Sequence, residues 1–308
     1  MSGSFTKKRL EARITLAEGG FNPGSGQSAN TKVVRLGMDA EIAKPGGKEK
    51  PKCTLRIYNL PLEDMQVLTT LAFDPLAVKK NRLILMAGDD DGMSQAFTGD
   101  IISAVPRFSA DASSVFEVTA LTGYVASVTP TKPLTAAGSQ DVATLLQGLA
   151  KQMGFAFVNR GVSVTVRNVA LVGGPMEQAR QLADEARIDL ILDDGEMIAA
   201  PRGELRQDDA EGSTPVLKDR TGLIGFPGFD EKGVVGRCLY EPRLLLGGPV
   251  RIESIVPKAS GLWRVTSVSH KLHANYGAAS AWETSFKATY PNQKKSDGKK
   301  DAKKDAKK

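Results

Sequence analysis

The sequence predicts a mainly β protein with a small α+β module between two strand-rich segments. Three observations predict this fold class. Apolar and polar residues alternate with period two near both ends of the 308-residue chain, as in strands with one buried face. Two apolar stripes of helical spacing lie in the middle. Short strands separated by Gly-rich and Asp-Gly turns are typical of a barrel or a sandwich.

The N-terminal strands alternate clearly. In residues 9–16 apolar side chains take the even positions, and residues 34–42 and 53–58 repeat the alternation. Burying each large aliphatic side chain stabilises the fold by roughly 1.5–3 kcal/mol. Strands with one dry face therefore need a partner layer or closure of the sheet.

Two long interruptions separate these strands, at residues 19–31 and 44–52. Hairpin loops usually have roughly 2–5 residues, so both segments are unusually long. The sequence leaves two interpretations open for each. The segment is either disordered or ordered against a neighbouring subunit.

The remaining elements of the first segment are a helix and three strands. Apolar residues at helical spacing after Pro61 predict a short helix to about Ala72. Strands are predicted at residues 82–87, 95–104 and 115–121.

The middle of the chain predicts two helices, each followed by strands. Ser139 is the candidate N-cap of the first, whose apolar stripe comprises Val142, Leu145, Leu146, Leu149 and Met153. Pro175 suits the first position of the second helix, whose apolar face comprises Met176, Ala179, Leu182, Ala183 and Ala186. The strands predicted here are 155–158, 162–166, 190–192 and 196–200.

The last segment reads as consecutive strands, predicted at residues 215–218, 222–225, 233–240, 250–256, 261–272 and 281–290. The sequence therefore divides into four parts: a first β domain with the two long loops, a small α+β domain, a second β domain and a tail. Their boundaries are 1–132, 133–205, 206–292 and 293–308.

The formal charge of +6 is concentrated in the tail. Residues 293–308 contain eight Lys and three Asp, a net charge of +5, which leaves +1 for the rest. The repeated Lys-Lys-Asp-Ala has too little apolar surface to fold and is expected to be a disordered, solvated terminus. A weak electrostatic contact with DNA, RNA or an acidic protein is the alternative.

The chain shows no targeting or membrane signal. No apolar run approaches the roughly 20 residues needed to cross a bilayer, and the N-terminus lacks the apolar core of a secretory signal. We expect an intracellular protein without a membrane-spanning segment. Cys53 and Cys238 are accordingly expected to be separate buried thiols.

No catalytic, cofactor or metal site is predicted. The three consecutive aspartates at residues 89–91 point in different directions, so a hairpin tip is favoured over a calcium loop, and Asp193-Asp194 and Asp208-Asp209 are interpreted in the same way. His270 and His273 are three apart on a predicted strand and should face opposite sides of it. A zinc or Cys/His nucleophile site is therefore not expected.

Two other classes of site, nucleotide-binding and glycoside-cleaving, have sequence patterns of their own. No Gly-x-Gly-x-x-Gly opens a helix, which argues against a nucleotide site. A carboxylate pair for glycoside cleavage stays open on sequence alone, with Glu63, Asp64, Glu117 and Glu283 as the available acids, although solvated positions are favoured for them. Trp263 and Trp282 are expected in the core of the last β domain, with a contact between subunits as the alternative.

Four stretches, in their order along the chain, carry a resemblance to a known family. They lie at residues 178–195, 221–227 (TGLIGFP), 239–254 and 263–272 (WRVTSVSHKL). With the strand, module and strand arrangement, they resemble bacteriophage tail baseplate hub proteins over about residues 5–290. None of the stretches is a catalytic signature, so the resemblance depends on their order.

The resemblance implies a structural virion protein without enzymatic activity or cofactor. Each chain would carry two β-barrels like those of tail-tube proteins, and a homotrimer would form a ring with pseudo-sixfold symmetry. The ring would join the hexameric tail tube to the trimeric spike and form part of the DNA conduit. The implied partners are the tail tube or a distal tail protein, the spike, other baseplate proteins and, transiently, passing DNA.

The implied location is the virion tail baseplate, assembled in the cytoplasm of the bacterial host. Two alternatives remain at this point: a peptidoglycan-degrading tail enzyme, and the hub of a phage-tail-like contractile injection or secretion system. Some members of the family carry or recruit a cell-wall-degrading domain, for which this sequence leaves no segment over.

Overall fold

A computed structural model describes residues 7–21, 30–69, 81–108, 114–206, 212–219, 222–275 and 281–291. In the first part of the chain the strands are β1 (Arg9–Thr15), β2 (Thr31–Val34), β3 (Met38–Lys44), β4 (Lys52–Tyr58), β5 (Arg82–Gly88), β6 (Met93–Phe108) and β7 (Ser114–Leu121). Helix α1 (Leu62–Leu68) lies between β4 and β5. Helix α1 ends at Leu68, before the predicted end at about Ala72, because Thr69 has an extended backbone. The loop predicted at 19–31 falls largely, and the tail predicted at 293–308 falls wholly, outside the described residues.

The middle and last parts follow the same chain order. The middle contains α2 (Tyr124–Val128), β8 (Leu134–Asp141), α3 (Val142–Met153), β9 (Ala156–Asn159), β10 (Thr165–Leu171), α4 (Pro175–Ala186), β11 (Ile188–Asp193) and β12 (Glu196–Pro201). The last part contains β13 (Val216–Lys218), β14 (Gly228–Asp230), β15 (Gly233–Leu239), β16 (Pro249–Glu253), β17 (Gly261–Ala274) and β18 (Trp282–Thr289). The predicted fold class, mainly β with a small α+β part, is confirmed.

One large sheet joins the first and last parts of the chain. Its strand order is β14, β15, β18, β17, β3, β4, β7, β6, β5, β1 and β2, with β16 on β17 and β13 on β16. The pairings among the described strands close neither part into a cylinder, so the expectation of two barrels is corrected. The reason is that β17 and β3 pair with each other, whereas in two separate barrels each of these strand edges would pair with a strand of its own barrel.

Strand β17 belongs to both halves of this sheet. One edge pairs with β18, while the other pairs with β16 from Gly261 to Arg264 and then with β3 from Val268 to Ala274. Its side chains also enter two different cores, with Trp263 in one and Leu272 in the other. A continuous strand therefore couples the two halves mechanically.

The buried apolar residues form three clusters. The first is built from β1 to β7 and α1 with the end of β17, the second from α2 to α4 and β8 to β12, and the third from β13 to β18. The second cluster surrounds two small sheets, β8–β10 and β9–β12–β11. We call the elements from α2 to β12 the module.

The two helices predicted in the module are present. Pro175 occupies the first turn of α4, as expected. Helix α3 begins later than predicted, because the Asp141 carboxylate, and not Ser139, accepts a hydrogen bond from the Thr144 amide at 2.8 Å. Ser139 instead lies on β8, which pairs with β10. Both β8 and α2 were missed, since β8 is largely exposed and shows little alternation, and α2 has only five residues.

The long segment at 44–52 is folded within the chain. Lys48 Nζ lies 2.7 Å from Asp184 Oδ2 on α4, and Lys50 Nζ donates to Ser127 Oγ at 2.5 Å. Gly46, with a φ of 72°, packs against the Thr266 carbonyl of β17. The segment is therefore ordered within the single chain, through contacts to the module and β17. A contact with a neighbouring subunit stays a prediction.

Candidate functional site

The candidate site has two components, a polar face of the large sheet and a buried joint behind it. We define the polar face by the outward side chains of β15, β18, β17, β3, β4, β7 and β6. One cross-strand row runs over all seven strands through Leu239, Glu283, Lys271, Glu41, Thr54, Thr119 and Ser103. Each of these side chains is half-buried or exposed, so the row is open to solvent in the single chain.

Positive and negative side chains are interspersed on the polar face. Glu117 accepts hydrogen bonds from Arg107 at 2.9 Å and from Arg56 at 3.3 Å. The Arg107 hydrogen bond is the main cause that holds the pKa of Glu117 below its usual range. Lys271 lies between Glu283 and Glu41 in register. Acids therefore lie next to bases along the face, in contact across neighbouring strands.

A second polar group on this face surrounds Asp39 of β3. The Tyr58 hydroxyl donates to Asp39 Oδ2 at 2.5 Å, and His273 Nδ1 contacts Asp39 Oδ1. His270, three residues earlier on β17, is buried on the opposite side and bonds to Thr284 Oγ1 at 2.8 Å. The prediction that His270 and His273 face opposite sides of their strand is confirmed.

The inner end of β3 carries the joint. Lys44 continues the buried face formed by Met38, Ala40 and Ile42, and its side chain is only 4% exposed. Its ammonium group lies 2.7 Å from Asp193 Oδ1 and 2.8 Å from Asp194 Oδ2, at the β11–β12 turn.

The joint continues into the chain that follows β12. Arg206 lies 2.6 Å from Asp193 Oδ2 and 3.0 Å from Glu196 Oε2. The Arg206 amide also donates to the Gly247 carbonyl at 2.6 Å, in the part of the chain between β15 and β16. We call Lys44, Asp193, Asp194, Glu196 and Arg206 the joint cluster, because it connects the sheet, the module and the last part of the chain.

Burial and charge act in opposite directions on the groups of the joint. Burial favours a neutral Lys44, but the carboxylates of Asp193 and Asp194 outweigh it and raise the pKa of the Lys44 ammonium. Burial likewise opposes ionisation of Asp193, yet Lys44 and Arg206 together keep its pKa below the usual range. Lys44 and Asp193 are therefore a buried ion pair at neutral pH.

Another ion pair supports the joint on the adjacent strand. Arg264 of β17 lies 2.8 Å from Asp189 Oδ2 of β11, and its Nε donates to the Glu204 carbonyl at 2.7 Å. The same Asp189 oxygen accepts from the Gly203 amide at 2.9 Å. The module is thus attached to the sheet through polar contacts from both β3 and β17.

A family model described as baseplate hub gp41 matches residues 20–276. The chain belongs to the baseplate hub gp41 family. No curated protein sequence matches this hub protein.

Solved structures share the fold of this hub protein at low sequence identity. The 43 kDa tail protein of prophage MuSo2 from Shewanella oneidensis has a TM-score of 0.60 at 9% identity, with 92% of this chain and 98% of that chain covered. The tail protein from Neisseria meningitidis MC58 has a TM-score of 0.61 at 8% identity, with 92% and 96% covered.

An Escherichia coli protein has a TM-score of 0.51 at 10% identity, with 95% of this chain and 76% of that chain covered. It is described as a component of the type VI secretion system with structural similarity to T4 bacteriophage tail proteins gp27 and gp5. These likenesses show the fold, and the family match shows that this hub protein belongs to a family of phage tail structural proteins.

The acids considered for glycoside cleavage are placed separately in the hub protein. Asp64 is buried on α1 and contacts Lys32, whereas Glu63 beside it is exposed. Glu117 bonds to the arginines of the polar face, and Glu283 lies 3.6 Å from Arg237. The proteins matched are structural tail and baseplate proteins, and the absence of enzymatic activity stays a prediction.

Other predicted residues are found where expected, with one exception. Cys53 and Cys238 are buried free thiols, and burial raises the pKa of each to about 12. Trp263 is in the core of the last part, where its Nε1 donates to the Ala259 carbonyl at 2.8 Å. Trp282 packs on the first cluster instead, beside Tyr240.

The turn at residues 89–92 is the predicted hairpin tip, with the Asp89 amide bonded to the Gly92 carbonyl. Asp193 and Asp194 are also at a hairpin turn, but sequence reasoning missed their role in the joint. The available signal was Lys44, a charged residue in phase with three buried apolar positions. Asp208 and Asp209 lie outside the described residues.

Over the part of the chain that the structure describes, no group of three or more His, Cys, Asp and Glu side chains is arranged to hold a metal ion. None of the helices in that part combines the length and the apolar character needed to cross a membrane.

Proposed function

We propose that three copies of this hub protein form a ring with pseudo-sixfold symmetry, and that the polar face of the large sheet lines its channel. The single observation that carries the proposal is the pairing of β17 with β3, which merges two β segments into one continuous sheet. Each copy therefore places two β segments side by side in one sheet. Three such copies provide six, which suits a junction between a hexameric tube and a trimeric spike.

The composition of the polar face supports a conduit for DNA. Double-stranded DNA carries a high density of negative charge, and a strongly basic wall would retain it. On the polar face Glu117 pairs with both Arg56 and Arg107, and Lys271 is flanked by Glu283 and Glu41. A wall on which acids lie among the bases would hold DNA less tightly than a uniformly basic wall.

The position of the joint is consistent with this orientation. Lys44 extends from the buried side of β3, opposite the outward residues Glu41 and Ala43. The module therefore attaches behind the sheet and leaves the polar face uncovered by the described residues. In the ring, the module would lie outside the channel wall.

Three apolar clusters support a division into three parts close to the 1–132, 133–205 and 206–292 predicted from the sequence, but α2 packs in the second cluster and the end of β17 in the first. The partners proposed for the ring are the tail tube or a distal tail protein on one side and the spike on the other, with other baseplate proteins around it. The proposed location is the virion tail, after assembly in the host cytoplasm. The protein would act as a structural part without catalysis.

A specific observation favours a second candidate, the hub of a phage-tail-like secretion or injection system. The Escherichia coli neighbour with this fold is described as a component of the type VI secretion system. The two candidates share the ring and differ in what passes through it. DNA-filled heads attached to particles that contain this protein would favour the phage tail, and headless particles would favour the injection system.

The ring is tested by measuring the mass of the purified protein alone and with its tube and spike proteins, by mass photometry and negative-stain electron microscopy. We expect a three-copy species, at least when the partners are present, with a central opening. A monomer under all these conditions, with no ring in the micrographs, would contradict the proposal. Clearing of a cell-wall suspension, abolished by an acid-to-amide substitution, would instead support the enzyme alternative.

A further inference from the structure

The joint cluster contains more carboxylates than cations. Asp193 is fully buried and forms ion pairs with both cations of the cluster: one of its carboxylate oxygens contacts Lys44 and the other contacts Arg206. Asp194 shares Lys44 with Asp193, and Glu196 shares Arg206. Glu196 is 45% exposed and is solvated, whereas Asp194 is 19% exposed. The excess negative charge therefore falls mainly on Asp194, which has little contact with water.

One oxygen of Asp194 lacks a protein donor. Its Oδ1 is buried and has no hydrogen-bond partner among the described residues. The backbone is held in place, since Gln95 Nε2 of β6 donates to the Asp194 carbonyl at 3.2 Å and the residue has a φ of 48°. A carboxylate fixed in this position, with one oxygen unpaired, is the member of the cluster best suited to accept a proton.

Groups on the neighbouring elements do not supply the missing positive charge. Arg82 of β5 is a cation beside Gly195, but its Nε donates to Thr98 Oγ1 at 3.2 Å, and among the described residues it forms no ion pair with Asp194. Tyr240, after β15, is a neutral neighbour whose pKa is raised by burial. His270 of β17 and Cys53 of β4 face Lys44 from the buried side, and burial keeps both neutral, since it lowers the pKa of His270 and raises that of Cys53.

We propose that the joint cluster is an acid-tightened clasp, in which one proton on Asp194 balances the charge of the cluster and docks the β11–β12 hairpin more firmly on β3. The proposal concerns contacts within one chain and does not depend on the ring. It predicts that the module opens away from the sheet more readily at neutral pH than at mildly acidic pH.

The direction of the effect follows from the site. Burial, reinforced by the Asp193 charge and opposed by Lys44, raises the pKa of Asp194 from 3.8 to about 6. The closed joint therefore binds the proton more tightly than the open joint. Its extra stability is present at acidic pH and is lost as the pH rises through about 6.

Local hydrogen exchange tests the clasp directly. Amide exchange of peptides covering residues 188–201 would be followed by mass spectrometry at pH 5.0 and pH 7.5, with correction for the intrinsic pH dependence of exchange. We expect the protection of the hairpin in the native protein to be about tenfold higher at pH 5.0, as a pKa shift of this direction and size implies. Peptides covering β4 and β7 provide an internal reference.

Two matched variants isolate Asp194. Asp194→Asn removes the charge and suits the left-handed backbone of the turn, so its hairpin should be well protected at both pH values. Asp91→Asn, which also precedes the Gly of a hairpin turn but lies at an exposed tip, should behave like the native protein. Equal protection of the native hairpin at both pH values, or a rise that persists in Asp194→Asn, would overturn the proposal.

A second measurement covers the case in which Asp194→Asn fails to fold. The carboxyl carbon of Asp194 in the native protein would be followed by NMR through a pH titration. A midpoint near pH 6 supports the clasp. A midpoint at or below pH 4 means that the group stays ionised in the closed joint, and the proposal fails.

Discussion

Lys44 and Asp193 are 149 residues apart in the chain, and the Lys44 ammonium lies 2.7 Å from an Asp193 carboxylate oxygen in a buried contact. Lys44 ends a strand of the large sheet, and Asp193 ends a strand of the module. Their ion pair therefore fixes how the module is placed on the sheet. Because both groups are desolvated, the pair is costly to break by removing one partner.

Replacing Lys44 by Met should destabilise the protein strongly. Met removes the charge and leaves Asp194 without a cation, and buried ion pairs broken in this way typically cost about 3–5 kcal/mol. The free energy of unfolding in urea is the measurement. Lys48→Met is the control, since Lys48 and Asp184 form an exposed pair, for which a loss below about 1 kcal/mol is expected. Similar losses for the two variants would show that the joint is not the anchor.

Gly46 and Gly47 should respond differently to substitution by Ala. Both have positive φ, 72° and 64°, so each variant carries the left-handed cost of about 1–2 kcal/mol. A Cβ at Gly46 would also lie 2.3 Å from the Thr266 carbonyl oxygen, whereas one at Gly47 would meet nothing within 4 Å. We expect Gly46→Ala to lower the melting temperature clearly more than Gly47→Ala. Equal decreases would mean that the loop does not rest on β17 as described.

His270 makes stability depend on pH. Burial, with a contribution from Lys44, lowers the pKa of His270 from 6.5 to about 3. Below about pH 6.5 His270 therefore binds a proton in the unfolded chain but not in the folded chain, so the free energy of unfolding decreases as the pH falls.

Replacing His270 by Gln should remove this term. Between pH 7.5 and pH 5.0 the native protein should lose about 2 kcal/mol more than His270→Gln in urea unfolding. The opposite contribution of Asp194 is common to both proteins and cancels in this comparison. Parallel pH profiles for the two proteins would refute the assignment.

Much of the sheet could be predicted from the sequence, because the alternation of apolar and polar residues along a strand indicates which face of that strand is buried. The alternation predicted along β3 and β4 appears in the structure with the same residues inward. The pairing of β17 with strands of both halves of the sheet could not be predicted. The sequence of a strand indicates which of its faces is buried but not which strands pair with its edges. Separate barrels were the expectation for this reason.

The candidate site was predictable only in part. Lys44 stands in phase with Ile42 and Ala40, which marks it as a buried charge that needs a partner. Its partners, Asp193 and Asp194, lie in a distant Asp-Asp-Gly turn. The local sequence of that turn predicts only an ordinary hairpin and gives no sign of a buried contact. Long-range pairing decides between an exposed turn, as at residues 89–92, and a buried joint at Asp193 and Asp194.

Adding positive charge to the polar face should slow the passage of DNA. Glu41→Lys converts an exposed acid at the centre of the face into a base next to Lys271. In virions that carry this variant, release of DNA, followed by dye fluorescence, should be slower and should recover as salt is raised. Glu185→Lys makes the same charge change at an exposed position on α4. If both variants release DNA at the native rate, Glu41 does not face the conduit.

The orientation of the sheet in the assembled baseplate tests the central claim most directly, and a cryo-electron microscopy reconstruction of that assembly would measure it. We predict three copies around a channel, with Glu41, Thr54 and Lys271 at the channel surface and the module on the outside. A reconstruction in which these side chains face outward or are buried against another protein would contradict the account.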